Sequence, residues 1–156
     1  MKTTSLIQFT VLALVLECVT SRRLLPPKRR GYYANFLVTN GKGVSEEGFI
    51  MNAALSWGKW RLGGRDVTTV NNIGFNSDKS ADFLASGRSG SPSGTEGTFE
   101  IHEGAKKVAI VEFSIPFWGK NELKIRDLDD QFVCNQRGFT PNGSPTININ
   151  CHKKTR

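Results

Sequence analysis

Along most of this chain hydrophobic residues come in short runs, many with every second position apolar, broken by Gly, Asn and Pro. Helical spacing of apolar positions is nearly absent beyond the first 21 residues, whereas β-branched and aromatic residues recur with a period of two, the signature of strands. The pattern predicts strands over Tyr32 to Thr39, Phe49 to Leu55, Trp57 to Leu62, Ala81 to Ser86, Gly97 to His102, Val108 to Ile115, Glu122 to Asp127, Gln131 to Asn135 and Pro145 to Cys151. Asn40-Gly41, Gly63-Gly64 and Asn142-Gly143 mark turns. In Val108 to Ile115, one face is entirely apolar (Ala109, Val111, Phe113, Ile115), so this strand belongs to the core. In Pro145 to Cys151, Ile147, Ile149 and Cys151 face one way and Thr146, Asn148 and Asn150 the other, as in a half-buried strand. Many short strands and little helix predict an all-β, single-domain antiparallel sandwich or barrel.

Two stretches break the pattern. Ser86 to Phe99 holds four glycines and Pro92, a composition that suits neither helix nor sheet and predicts a long loop, either a surface excursion or a functional one. At the start, Lys2, the apolar run Leu6 to Leu16 and a Val-x-Ser ending at Ser21 have the layout of a secretory signal peptide, residues 1–21. The run is too short for a membrane-crossing helix, which needs about 20 residues. RRLLPPKRR follows at residues 22–30 as a basic linker or propeptide, with Lys28-Arg29-Arg30 resembling a processing site that would leave Gly31 first. The folded domain is then residues 31–156, in a secreted, extracellular protein.

That division changes the charge picture. The 156-residue chain carries a formal +7, but Arg22, Arg23, Lys28, Arg29 and Arg30 supply five positive charges and Lys153, Lys154 and Arg156 three more. With Lys2 and Glu17 cancelling, Gly31 to His152 is left at −1. A near-neutral body argues against a polyanion groove, so no nucleic acid is expected as a partner. Cys18 leaves with the signal, and the remaining Cys134 and Cys151 read as a disulfide in an exported chain, the alternative being two buried thiols.

Catalytic and metal signals are sparse. His102 and His152 stand apart with no ligand-spaced partner, the long loop lacks Gly-x-Ser-x-Gly, and no phosphate-loop pattern occurs. Asp127, Asp129 and Asp130 suit either a weak calcium site or a solvated turn. No cofactor and no enzymatic activity are expected. Asn142-Gly143-Ser144 is a glycosylation sequon whose use Pro145 disfavours. The tryptophans are more informative: Trp57 and Trp60 in SWGKW and Trp118 in PFWGK suit a half-buried core position or a membrane–water interface.

SWGKW at Ser56 to Trp60, SGRSGSPSGTEGTFE at Ser86 to Glu100, PFWGKNE at Pro116 to Glu122 and YYANFLV at Tyr32 to Val38 resemble the aegerolysins. The resemblance implies a non-enzymatic β-sandwich of aegerolysin type that binds sphingolipid-rich membranes, through sphingomyelin with sterol or through ceramide phosphoethanolamine. It also implies haemolytic pore formation with a larger perforin-like partner. Carried onto this chain, it puts Phe36, Trp57 and Trp118 against the membrane, Phe36 standing where an indole is usual, with Lys59 and Lys120 flanking the rings. The long loop, with Arg88, Ser93 and Glu96, meets the headgroup; Ser93 occupies the place of an acidic residue, and Glu96 lies three positions on. From a different class, a secreted carbohydrate-binding, lectin-like module would use the same exposed indoles to stack on sugars.

Overall fold

The computed structural model describes residues 32–41, 44, 46–88 and 93–155. The expected signal segment, the basic linker and the middle of the long loop, 89–92, lie outside the described residues. The strands are β1 (Tyr33–Asn40), β2 (Gly48–Trp57), β3 (Lys59–Leu62), β4 (Arg65–Val67), β5 (Ile73–Phe75), β6 (Ala81–Ser86), β7 (Thr95–Glu103), β8 (Lys106–Ile115), β9 (Glu122–Arg126), β10 (Phe132–Arg137) and β11 (Thr146–Lys153). They form two sheets, β10-β11-β1-β6-β3-β4 and β5-β2-β7-β8-β9, the layers of an all-β sandwich.

Pairing is antiparallel with one exception: β1 and β11 run parallel, Phe36 opposite Ile147 and Val38 opposite Ile149. Parallel neighbours need a long crossover, and here nearly the whole domain separates the two strands. Both strands therefore start at the same end of the sandwich. Every predicted strand is present, and two short ones, β4 and β5, are added. Strand β4 closes a hairpin on β3 through Gly63-Gly64, whose φ values of 55° and 82° meet the need of a two-residue hairpin turn for positive φ.

The core is an aromatic cluster between the sheets, and Phe36 sits at its centre. Its ring lies 5.4 Å from Phe83, 5.1 Å from Phe99 and 4.9 Å from Phe113, and its exposure is 0%. This corrects the membrane-facing placement of Phe36. In β1 the buried set is Ala34, Phe36, Val38 and Asn40, and residues of one parity cannot reach the other face of a sheet. Trp60, 2% exposed, packs beside Phe83 and Phe113 and resolves toward the core. Strands β8 and β11 bury the predicted sets, Ala109, Val111, Phe113 and Ile115 in one and Ile147, Ile149 and Cys151 in the other. Cys134 stands directly opposite Cys151 on β10 and β11, and the two are joined as a disulfide. Closing a loop of this size contributes about 3 kcal/mol in the chain-entropy account.

Candidate functional site: an aromatic pole

Several chain connections meet where β1 begins. Gly87 N–H, after β6, donates to the Tyr32 carbonyl at 3.0 Å, and Tyr33 N–H, at the start of β1, donates to Ser144 Oγ at 3.2 Å. Thr95 Oγ1, opening β7, donates to the Trp57 carbonyl at the end of β2, 3.2 Å away. Gly94 lies so close to the β8 exit that a Cβ there would overlap the Ile115 carbonyl oxygen and Pro116 Cα, so only glycine fits. The predicted loop is thereby shortened: Thr95 to Phe99 is strand, and the connection runs over residues 87–94. Its glycine-rich composition masked the alternation in which Thr95, Gly97 and Phe99 point inward while Glu96 and Thr98 point outward.

At this pole Trp118 is 82% exposed, on the connection between β8 and β9. Its ring meets Phe117 edge-on at 5.0 Å, and Phe117 meets Tyr32 at 5.2 Å. The connection is braced from behind. Asn121, 6% exposed, donates its backbone N–H to the Pro141 carbonyl (2.8 Å) and its Nδ2 to the carbonyls of Thr140 (2.9 Å) and Gly143 (3.0 Å). These bonds fix the β9 end of the connection that carries Trp118. Asn142, the sequon asparagine, is exposed in the same supporting turn.

Trp57 is 48% exposed, and the Arg88 guanidinium carbon lies 4.8 Å from its ring centroid, a cation–π contact. Ser93 is half-buried, and its Oγ accepts the Arg88 N–H at 3.1 Å, which ties the two ends of the connection together. Glu96 lies on β7, opposite Trp57 in register, and on an outward-facing position. With Thr98, Glu112, Ser114, Glu122 and Lys124 it lines a shallow hollow of about 350 Å³. Lys120 is exposed beside Trp118, whereas Lys59 is turned to Asp66, Nζ to Oδ2 3.0 Å. Arg61 Nε approaches the other carboxylate oxygen at 3.0 Å. The Lys59 hydrogen bond is the main cause that holds the Asp66 carboxyl below the usual aspartate range.

The structure thus brings Trp57, Arg88, Ser93, Trp118 and Lys120 to one end, sets Glu96 at its margin, and removes Phe36. Tyr32 and Phe117 belong to the cluster as well. Both stood inside conspicuous motifs, and the local signal for Phe117 was its place in a Pro-Phe-Trp run that no strand pattern could bury.

The remaining polar candidates lie elsewhere. Asp129 faces Lys106 (2.9 Å) and Asp127 faces Lys107 (3.7 Å), so these carboxylates are directed at lysines. Among the described residues, no group of three or more His, Cys, Asp and Glu side chains could hold a metal ion. On β7, His102 Nε2 lies 2.7 Å from Glu100 Oε2, which also accepts Asn52 Nδ2 at 2.8 Å. The His102 hydrogen bond is the largest cause lowering the Glu100 carboxyl below its ordinary value, with burial opposing. A depressed carboxylate stabilises the fold above its unfolded value, and that contribution is lost as pH falls below about 4.3 through the folded value. His102→Ala is therefore expected to raise the Glu100 titration midpoint in carboxyl-carbon NMR; an unchanged midpoint would sink this assignment.

The aegerolysin family model matches residues 37–153, most of the chain and all of the pole except its Tyr32 edge. This chain belongs to the aegerolysin family. It is similar to Asp-hemolysin of Aspergillus fumigatus, 33% identical over 90 residues, which cover 54% of this chain and 62% of that protein. The matched stretch thus spans less than two thirds of that relative's length. Among solved structures, RahU protein in complex with a TRIS molecule superposes with a TM-score of 0.74 at 18% identity, covering 80% of this chain and 97% of RahU. IP-1A from Alcaligenes faecalis gives 0.63 at 24% identity, covering 80% and 92%. The lipid binding protein Nakanori gives 0.54 at 8% identity, covering 80% and 72%. At these identities the structures establish a shared aegerolysin-like sandwich, and the pole's residues carry the argument about chemistry.

Proposed function

We propose that this aegerolysin is an exported protein that binds membrane lipid through its aromatic pole. We further propose that its ligand is sphingolipid, alone or with sterol, and that it is the lipid-recognising component of a haemolytic system completed by a perforin-like partner. The observation that carries the reading is Trp118, 82% exposed on a connection anchored by the buried Asn121. An indole has an apolar body and one N–H, which suits it to the headgroup boundary of a bilayer. Trp57 adds a second indole, and Arg88, over the Trp57 ring, and the exposed Lys120 are cations available to lipid phosphates. Family membership, the name of Asp-hemolysin and the lipid-binding description of Nakanori point the same way. The disulfide suits an oxidising compartment, in keeping with export.

Vesicle flotation tests the reading. Binding to vesicles of sphingomyelin with cholesterol, or of ceramide phosphoethanolamine, above that to plain phosphatidylcholine is the expected result. Uniform failure to float would sink it, and binding to glycans without lipid would favour the lectin-like alternative.

A further inference from the structure

We infer that Asn142 is a site of self-modification: in the folded protein its side-chain amide is lost to attack by the Gly143 backbone nitrogen, and the isoaspartate so formed weakens the aromatic pole as the molecule ages. The covalent step stands by itself, and its effect on binding rests on the membrane reading above.

The chain holds two Asn-Gly pairs, Asn40-Gly41 and Asn142-Gly143. By sequence they are equally reactive, since the missing Cβ of glycine leaves its nitrogen open to the preceding side chain. The fold separates them. Asn40 is 6% exposed and donates its Nδ2 to the Glu46 carbonyl at 3.2 Å, while Gly41 donates its N–H to the Cys151 carbonyl at 2.8 Å. Both reacting groups are occupied there, and a packed interior resists the rearrangement that ring closure needs. Asn142 and Gly143 are both exposed, and Gly143, at a φ of 75°, has nothing within 4 Å of the position a Cβ would take. Among the described residues, no acceptor is hydrogen-bonded to the Gly143 N–H. The sequon that would cap Asn142 with a glycan is followed by Pro145, which disfavours its use and leaves the amide available.

The reaction balances within the chain and water. The Gly143 nitrogen, giving up its proton, bonds to Asn142 Cγ; the Cγ–Nδ2 bond breaks, and Nδ2 departs with that proton as ammonia. Water then opens the cyclic imide at either carbonyl, giving aspartate or isoaspartate. In isoaspartate the backbone runs through the former side chain and is one carbon longer.

Asn121 carries that local change to the pole. Its backbone N–H binds the Pro141 carbonyl and its Nδ2 binds the carbonyls of Thr140 and Gly143, acceptors that lie on both sides of Asn142. With an extra backbone atom between them, the three bonds cannot all keep their lengths, and the β9 end of the Trp118 connection is loosened.

The test holds the full chain, as cells release it, folded in mildly alkaline buffer and samples it by peptide mapping, with isoaspartate read by isoaspartyl methyltransferase labelling. The Asn142 peptide is expected to convert progressively while the Asn40 peptide does not, and both should convert in denaturant with the disulfide reduced. Asn142→Gln, whose longer side chain closes the ring poorly, should stay unmodified. Aged parent is expected to bind about fivefold more weakly than fresh parent to the vesicles that fresh parent binds, the weight of one hydrogen bond on an ordered conformation. Equally aged Asn142→Gln should keep its affinity. A retained Asn142 amide in folded protein, equal conversion of Asn40, a glycan on Asn142 in all released molecules, or undiminished binding once isoaspartate has formed overturns the inference. Fresh parent that binds no vesicle sinks the membrane reading instead and leaves the mapping result standing, so the two fail in different arms.

Discussion

Trp118→Ala is expected to weaken vesicle binding roughly 30-fold while leaving the fold intact. An aromatic side chain that leaves water completely removes about 150–250 Å², worth roughly 4–6 kcal/mol at about 25 cal/mol per Å². A ring at the headgroup boundary buries about half of its area, which leaves about 2 kcal/mol, or roughly 30-fold in affinity. Since the ring is 82% exposed, its removal takes little from the core, and the thermal midpoint should stay near that of the parent. Trp118→Phe should recover most of the loss. Trp57→Ala should cost less, because that ring is only 48% exposed and one of its faces is covered by Arg88. Flotation at graded lipid concentrations gives the affinities, and parent-like affinity for Trp118→Ala would remove the aromatic pole from the mechanism.

Phe36→Ala should destabilise the protein by about 3–5 kcal/mol in denaturant unfolding, the range for a large aromatic deleted from a closed core. Three rings within 5.4 Å define the cavity it would leave, and because Phe83 stands on one sheet and Phe99 and Phe113 on the other, they cannot collapse into it without moving both sheets. A membrane-contacting side chain would behave otherwise, with stability within about 0.5 kcal/mol and binding impaired. Phe36→Leu separates the two roles: it keeps an apolar core, folds with a smaller loss, and should bind vesicles like the parent. A folded Phe36→Leu variant that fails to bind would restore Phe36 to the membrane face.

Fold class was legible because it rests on local patterns. Period-two alternation marked β8 and β11 and the faces they bury, and Gly63-Gly64 announced its hairpin through the positive φ that such a turn needs. The disulfide was legible once the chain was read as exported, since Cys134 and Cys151 sit in flanking strand-like runs. Strands β4 and β5 escaped because each is three residues long and depends on pairing with β3 and β2, an interaction no short window contains. The start of β7 was hidden by the glycine that close approach to β8 demands.

What the amino-acid sequence by itself determined was the β architecture, the Gly63-Gly64 turn and the family, because each is encoded in residue types at short spacing; Asn40-Gly41, read as a turn, instead continues β1 beside β11. Tertiary structure alone decided which aromatic rings face water. Phe36, Trp60 and Trp118 are all large apolar side chains in recognisable motifs, yet the first two fill the space between sheets and the third is exposed on the connection between β8 and β9. Burial depends on what the opposing sheet brings to each face, and the parallel placement of β1 beside β11 is a long-range fact of the same kind. That placement puts the start of β11 at the same end as the start of β1, and the end of β11 at the opposite pole, where Lys153 meets Glu103.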